Sequence, residues 1–180
     1  LPHPRYKDKH IPAFEMIKFS INTHRGCFGG CNFCTIAAHQ GKFIQSRSEA
    51  SIIKEITALN TLPGFAGNIS DVGAPTANMY GMRGKDPELC AKCRRKSCLF
   101  PGPCRNMNRS HERLLKLYEQ IAAVKGIRHA YIGSGIRYDL FDNSDYLREV
   151  VVHHTSGRLK VAPEHTEDGV LALMRKPSFS

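Results

Sequence analysis

The stretch Met16-Ile17-Lys18-Phe19-Ser20-Ile21-Asn22 runs directly into Thr23-His24-Arg25-Gly26-Cys27-Phe28-Gly29-Gly30-Cys31-Asn32-Phe33-Cys34. The first seven residues read as a buried strand, and the glycines after them end it in a loop that carries three cysteines. The same arrangement of strand, punctuated loop and helix then recurs along the chain. Ser46 with Glu49 has the spacing of a capping box, and Ile52, Ile53, Ile56 and Leu59 share a face, so the sequence predicts a helix over 47–60. A second strand is expected over 68–72, closed by Gly73-Ala74-Pro75. Ser110 is placed to cap a helix with Leu114, Leu117, Tyr118, Ile121 and Val124 on one side and Gly126 at its end. Further strands are expected over 127–133 and 158–162, separated by a helix that Asp142 to Ser144 would cap and that runs to about His154; Thr166 opens a last helix.

This order, βαβαβαβα, implies a parallel sheet, because right-handed crossovers bring all strand C-termini to one end. The unusual residues follow those strand ends: the first cysteines, Gly73-Ala74-Pro75, Gly133-Ser134-Gly135 and Glu164-His165. In α/β proteins chemistry is done at that edge. Four strands are too few to close a barrel, so the chain is expected to be part of a larger catalytic domain. Residues 1–15 read as an extension or linker and 16–180 as the core. The stretch 76–108, with Gly, Pro, Cys and charge but no apolar period, reads as a Cys-rich insertion.

Length and composition narrow the class. The chain has 180 residues, 41% apolar and 23% charged, which suits a globular chain rather than a disordered one. No apolar run exceeds five residues and the polar start is no signal peptide, which excludes a transmembrane helix and predicts a cytoplasmic protein with no membrane partner. Thiols are reduced there, so the seven cysteines read as metal ligands or catalytic groups. The formal charge of +10 is uneven: residues 83–113 hold nine of the 26 basic and three of the 16 acidic residues. Gly81-Met82-Arg83-Gly84-Lys85 fails the spacing of a phosphate loop.

The cysteines fall into two groups. Cys27, Cys31 and Cys34 place three thiolates on a glycine-rich loop. Three thiolates can hold three irons of a [4Fe–4S] cluster and leave the fourth open to a substrate, whereas electron-transfer clusters usually take four. A zinc site that adds His24 is the other reading of this group. Cys90, Cys93, Cys98 and Cys104 supply four thiolates within one short segment, enough to close a structural zinc site or hold an auxiliary Fe–S cluster. Arg94, Arg95, Lys96, Arg105 and Arg109 interleave with them, either as a patch for nucleic acid or as cations balancing the site. Phe100 is the only ring among these ligands, so base stacking is not indicated.

The Cys-x3-Cys-x2-Cys motif with an aromatic before its last cysteine, following the first strand of a βα series, resembles the signature of radical S-adenosylmethionine (SAM) enzymes. The flanks 22–26 and 35–41, with Ser134-Gly135-Ile136-Arg137-Tyr138-Asp139 and Lys160-Val161-Ala162-Pro163-Glu164-His165, are similar to the YgiQ-like branch of that superfamily. The resemblance covers nearly the whole chain. It implies an α/β fold, a partial parallel (β/α) barrel of radical SAM type with an inserted Cys-rich loop, a [4Fe–4S] cluster on Cys27, Cys31 and Cys34, SAM on the open iron, reductive cleavage to a 5′-deoxyadenosyl radical, and a reductant such as flavodoxin or ferredoxin. By position it places Phe33 near the adenine, Gly73 and Ala74 as backbone contacts to SAM, and Ser134 and Glu164 against the ribose or methionyl group. The glycine-rich segment ending in Glu that holds the SAM amino group in the family has only a loose counterpart in Val72-Gly73-Ala74-Pro75-Thr76. The alternative is a zinc-binding nucleic-acid module in which both cysteine groups are structural.

Overall fold

A computed structural model describes residues 11–141 and 144–178. Its centre is a run of short parallel strands. Ser20–Asn22 pairs in parallel with Asp71–Gly73, and Asn68–Ile69 pairs in parallel with His129–Ala130. Hydrogen bonds from Ser70 N–H to Phe19 O (3.1 Å) and from Val72 N–H to Tyr131 O (2.7 Å) place segment 68–73 between its two neighbours. Ile136 and Val161 add one parallel bridge. Among the described residues the sheets are small and none closes into a barrel.

Helices Glu49–Leu59, Glu112–Ala122 and Ser144–His153 connect successive strands. Their apolar stripes meet the sheet: Ile52, Ile56 and Leu59 from the first, Leu114, Leu117, Tyr118 and Ile121 from the second, and Tyr146 and Val150 from the third are all buried with Ile21, Ile69 and Val72. Each such side chain contributes about 1.5–3 kcal/mol relative to its exposed state. This burial, more than helix propensity, fixes the crossovers.

Several expected boundaries move. Of the strand expected over 16–22, only Ser20–Asn22 pairs, while Phe14–Ile17 forms a helical turn that leaves Met16 exposed. Ser46 does not cap the first long helix, because its backbone is extended opposite His24 in a two-residue antiparallel pair and its hydroxyl accepts from Gly81 N–H. Ser48 is the cap, accepting from Ser51 N–H at 3.2 Å. His111 holds the cap position of the second long helix, and Ser110, one residue earlier, accepts from Glu112 N–H. The strand expected over 158–162 is reduced to the bridge at Val161, and the last helix, Asp168–Met174, begins two residues after Thr166. The expected caps Asp142 and Asn143 lie outside the described residues. Stretch 76–108 has local order: a 3-10 turn at Ala77–Met79, a helix Pro87–Ala91 capped by Asp86, and an antiparallel pair of Arg83–Gly84 with Met107–Asn108 that closes its base. No helix among the described residues is long and apolar enough to cross a membrane.

Candidate functional site

The first cysteine loop leaves the sheet at His24–Arg25 and folds back under its own glycines. Gly26 adopts φ +92°, where a side chain would overlap the Phe43 carbonyl, so this turn requires glycine. Cys27 is buried, with its sulfur 3.5 Å from the Thr76 hydroxyl and accepting from Gly29 N–H at 3.4 Å. A Cβ on Gly29 would lie 3.3 Å from Cys27 Sγ, 3.4 Å from Cys31 Sγ and 2.8 Å from the Arg137 guanidinium. The absent side chain thus leaves a cradle flanked by two sulfurs and one cation. Cys34 closes the loop through its N–H to Cys31 O (3.2 Å).

Arg137 forms the floor of this cradle. It is 4% exposed, donates to Cys31 Sγ at 3.5 Å and forms a two-pronged ion pair with Asp139 at 2.8 and 2.6 Å. Its backbone is held by reciprocal bonds with the buried Asn78 side chain (3.0 and 2.9 Å). Burial works against the guanidinium charge, but the Asp139 carboxylate and then Cys31 outweigh it, and the pKa rises. The cation at Cys31 is permanent.

His24 is fully buried beside the strand, its Nδ1 3.0 Å from the Thr23 hydroxyl. Burial pushes its pKa down to about 4, with the Thr76 backbone opposing, so the ring is neutral at pH 7.

The residues expected to touch SAM are gathered unevenly. Gly73 and Ser134 meet: a Cβ on Gly73 would overlap the Ser134 hydroxyl and the Asp71 carboxylate. That carboxylate accepts from Gly133 N–H (2.8 Å), Ser134 N–H (3.0 Å) and the Ser134 hydroxyl. Ala74 is half-buried beside them. Glu164 has φ +71° and lies 3.5 Å from the ammonium of Lys176, a buried residue that also donates to Ala162 O. Phe33 is 52% exposed and does not join the group. Sequence reading gave no role to Thr76, Asp71, Lys176 or the Arg137–Asp139 pair. A carboxylate in the short strand 71–73 was a legible signal; the contact of Arg137 with Cys31, 106 residues away, was not.

The second cysteine group lies against the first. Cys98 N–H donates to Phe28 O at 3.0 Å, and Gly30, at φ +58°, abuts the Lys96 carbonyl so closely that a Cβ would overlap it. Cys27, Phe28, Cys98 and Leu99 share an apolar cluster with Met79, Met82, Met107 and Leu140. A cavity of about 310 Å³, lined by Phe28, Phe43, Ile44, Met82 and Cys90 among others, opens beside it. Burial pushes the Cys98 thiol up, and the facing Cys104, Cys93 and Cys90 add to that against Lys42. The Arg95 backbone N–H, with Lys42 adding to it and burial opposing, holds Cys93 below its ordinary value. Arg95 is occupied within the loop, donating to Phe100 O and Gly102 O at 3.1 Å each. All seven thiols are free, and among the described residues no three His, Cys, Asp or Glu side chains converge as a metal-ligand group.

With this geometry in place, comparison with known proteins is informative. The chain is similar to UPF0313 proteins along nearly its whole length. It is 56% identical over 190 residues to a UPF0313 protein of Bacteroides thetaiotaomicron, covering 99% of this chain and 31% of the relative. It is 54% identical over 180 residues to one from Chromobacterium violaceum, and 52% identical over 181 residues to UPF0313 protein YgiQ of Escherichia coli K12, each alignment covering 99% of this chain and 24% of the relative. The chain thus spans between about a quarter and a third of the length of these relatives. No protein-family model matches it.

Proposed function

We propose that the chain is part of a radical SAM enzyme core, a partial (β/α) barrel whose sheet edge holds a [4Fe–4S] cluster and SAM. The observation that carries this reading is the cradle at Gly29: a glycine-rich loop turns two sulfurs of Cys27-x3-Cys31-x2-Cys34 toward one space beside a buried cation. Cys27, Cys31 and Cys34 would hold the cluster. When bound and reduced, the group supplies cleavage of the sulfonium C–S bond of SAM, and with it a hydrogen-abstracting 5′-deoxyadenosyl radical.

The chain's own residues position and shield. Gly29 leaves room that any side chain would fill, and its N–H donates to Cys27 Sγ. Arg137 sets a fixed positive charge 3.5 Å from Cys31 Sγ, where it would offset the negative charge of a cluster thiolate. The buried Cys27, Phe28 and Met79 exclude water from one side. Asp71, held by the Gly133 and Ser134 amides, forms a polar rim at the strand ends, where a hydroxyl-bearing ligand would find a carboxylate acceptor. In this reading Gly73 and Ala74 offer backbone contacts, and Glu164, balanced by Lys176, faces the far end of the ligand. Flavodoxin or ferredoxin would supply the electron.

Anaerobic reconstitution with iron and sulfide tests the proposal. It predicts about four irons dependent on the first loop, an EPR signal after dithionite that SAM alters, and loss of both in Cys27→Ala. Zinc at both cysteine groups, with no spectral response to SAM, would overturn it in favour of the structural zinc module.

A further inference from the structure

We propose that Cys90, Cys93, Cys98 and Cys104 form a closed tetrathiolate metal centre, Zn2+ or an Fe–S cluster, and that this centre seats the loop bearing Cys27, Cys31 and Cys34. The seating rests on the first loop being a cluster site; the metal centre itself does not.

The strap 85–106 has an ordered backbone with little to order it. Only Ser97, Cys98 and Leu99 are buried within it. Fixing a residue's backbone costs about 1–2 kcal/mol, far more over this length than three buried residues return. Its ends are pinned, since Lys85 N–H donates to Asn106 O (2.6 Å) and the Asp86 and Asn106 side chain and backbone groups exchange hydrogen bonds at 2.9 and 2.8 Å. Tight turns then present the cysteines: Cys93 N–H bonds Cys90 O (3.1 Å), Cys104 N–H bonds Cys98 O (2.7 Å) and Met107 N–H bonds Cys104 O (2.9 Å). A metal bound by four thiolates supplies the missing cross-link, because its binding free energy is folding free energy. Four ligands close the coordination of Zn2+, and four thiolates also complete an Fe–S cluster. Cys90, Cys93 and Cys104 all lie within electrostatic reach of Cys98, on backbones that are already placed.

Donors suited to thiolates stand at two of the four. Asn106 Nδ2 lies 3.3 Å from Cys90 Sγ, and the Lys42 ammonium lies 3.8 Å from Cys93 Sγ while also donating to Arg95 O. Such outer contacts orient ligands and offset the net negative charge of a tetrathiolate site. The coupling to the first loop is direct. Cys98 supplies the N–H for Phe28 O, Lys96 forms the wall against Gly30, and Leu99 packs with Phe28. A strap that loosens therefore removes a backbone partner, a wall and apolar cover from the loop at once.

The test uses the chain with Cys27→Ala, so that only the second group can hold metal in full. Loaded separately with Zn2+ and, anaerobically, with Fe2+ and sulfide, it should retain one centre through chelator washing, and the arm that retains metal names the centre. Cys93→Ser in that background should lose it; Cys93 is half-buried and outside the apolar cluster, so this variant keeps the fold that Cys98→Ser puts at risk. In the same Cys27→Ala background, stripping the second centre should raise amide exchange over 27–34 by at least about tenfold, and reloading should reverse it. Metal retention no better than in Cys93→Ser overturns the centre, and unchanged exchange over 27–34 overturns the seating. Failure of the first site alone looks different: no iron dependent on Cys27, with second-site metal and its protection intact.

Discussion

Two packed regions stand side by side in this chain and are built by different means. On the sheet side, aliphatic residues at helical and strand period, Ile21, Ile56, Ile69, Leu117 and Val150 among them, bury one another completely. On the cysteine side the cluster is small and sulfur-rich: Cys27, Cys98, three methionines, Phe28, Leu99 and Leu140. The first region resembles any α/β core and can be held by the hydrophobic effect alone. The second has too little apolar area for the length of loop it must order. Periodicity marks where a fold is self-sufficient; where it is absent beside clustered thiols, the proposed metal centre would supply the order that packing does not.

The largest effect should come where the two regions join. Arg137→Gln leaves the Asp139 carboxylate buried without its cation and should cost about 4 kcal/mol in urea unfolding, with or without metal. A cost below about 1 kcal/mol would show that water reaches the pair. Leu117→Ala, in the sheet-side core, should cost about 3 kcal/mol by the same measurement. That loss should be indifferent to chelator, and chelator sensitivity would erase the distinction between the regions.

Acid should then probe the boundary through His24. Its folded pKa of about 4 lies below the ordinary 6.5, so the unfolded chain takes up a proton first as pH falls. The stability tied to the neutral ring is complete above about pH 6.5 and is lost progressively toward pH 4, by about 3 kcal/mol in all. Unfolding midpoints across that range should slope steeply in the parent chain and less in His24→Gln; equal slopes would sink the assignment. The smallest effect expected is Gly30→Ala, about 2 kcal/mol, from positive φ and overlap with the Lys96 carbonyl. It should be accompanied by faster exchange at the Cys98 amide, and a change without that signature would mean the two loops are not coupled there.

These contrasts explain what was readable from sequence. The three long helices were legible because Ile52, Ile56, Leu114, Leu117 and Ile121 repeat on one face and must be buried. The parallel order followed from their alternation with apolar runs. Boundaries moved where a local rule met a tertiary demand, as when Ser46 surrendered the cap to Ser48 to pair with His24. The cysteines, Gly73 and Ser134 announced themselves by type and by place at strand ends. Arg137 with Cys31, Asp71 with Ser134 and Lys176 with Glu164 did not, because each joins segments that only the folded sheet brings together.

One contact across the molecule sets an order of events. Asn32, inside the first cysteine loop, is tied to the end of the last helix: its N–H donates to Met174 O (3.1 Å), its side chain donates to Leu173 O (2.5 Å), and Arg175 reaches Gly30 O (3.5 Å). These links close a loop of more than 140 residues, the kind of long-range closure that a chain completes late. The first cysteine loop therefore has its full support only once residues 173–175 have folded against it. Residues 173–175 thus act as a latch on the loop that carries Cys27, Cys31 and Cys34, although they lie more than 140 residues from Asn32 in the chain.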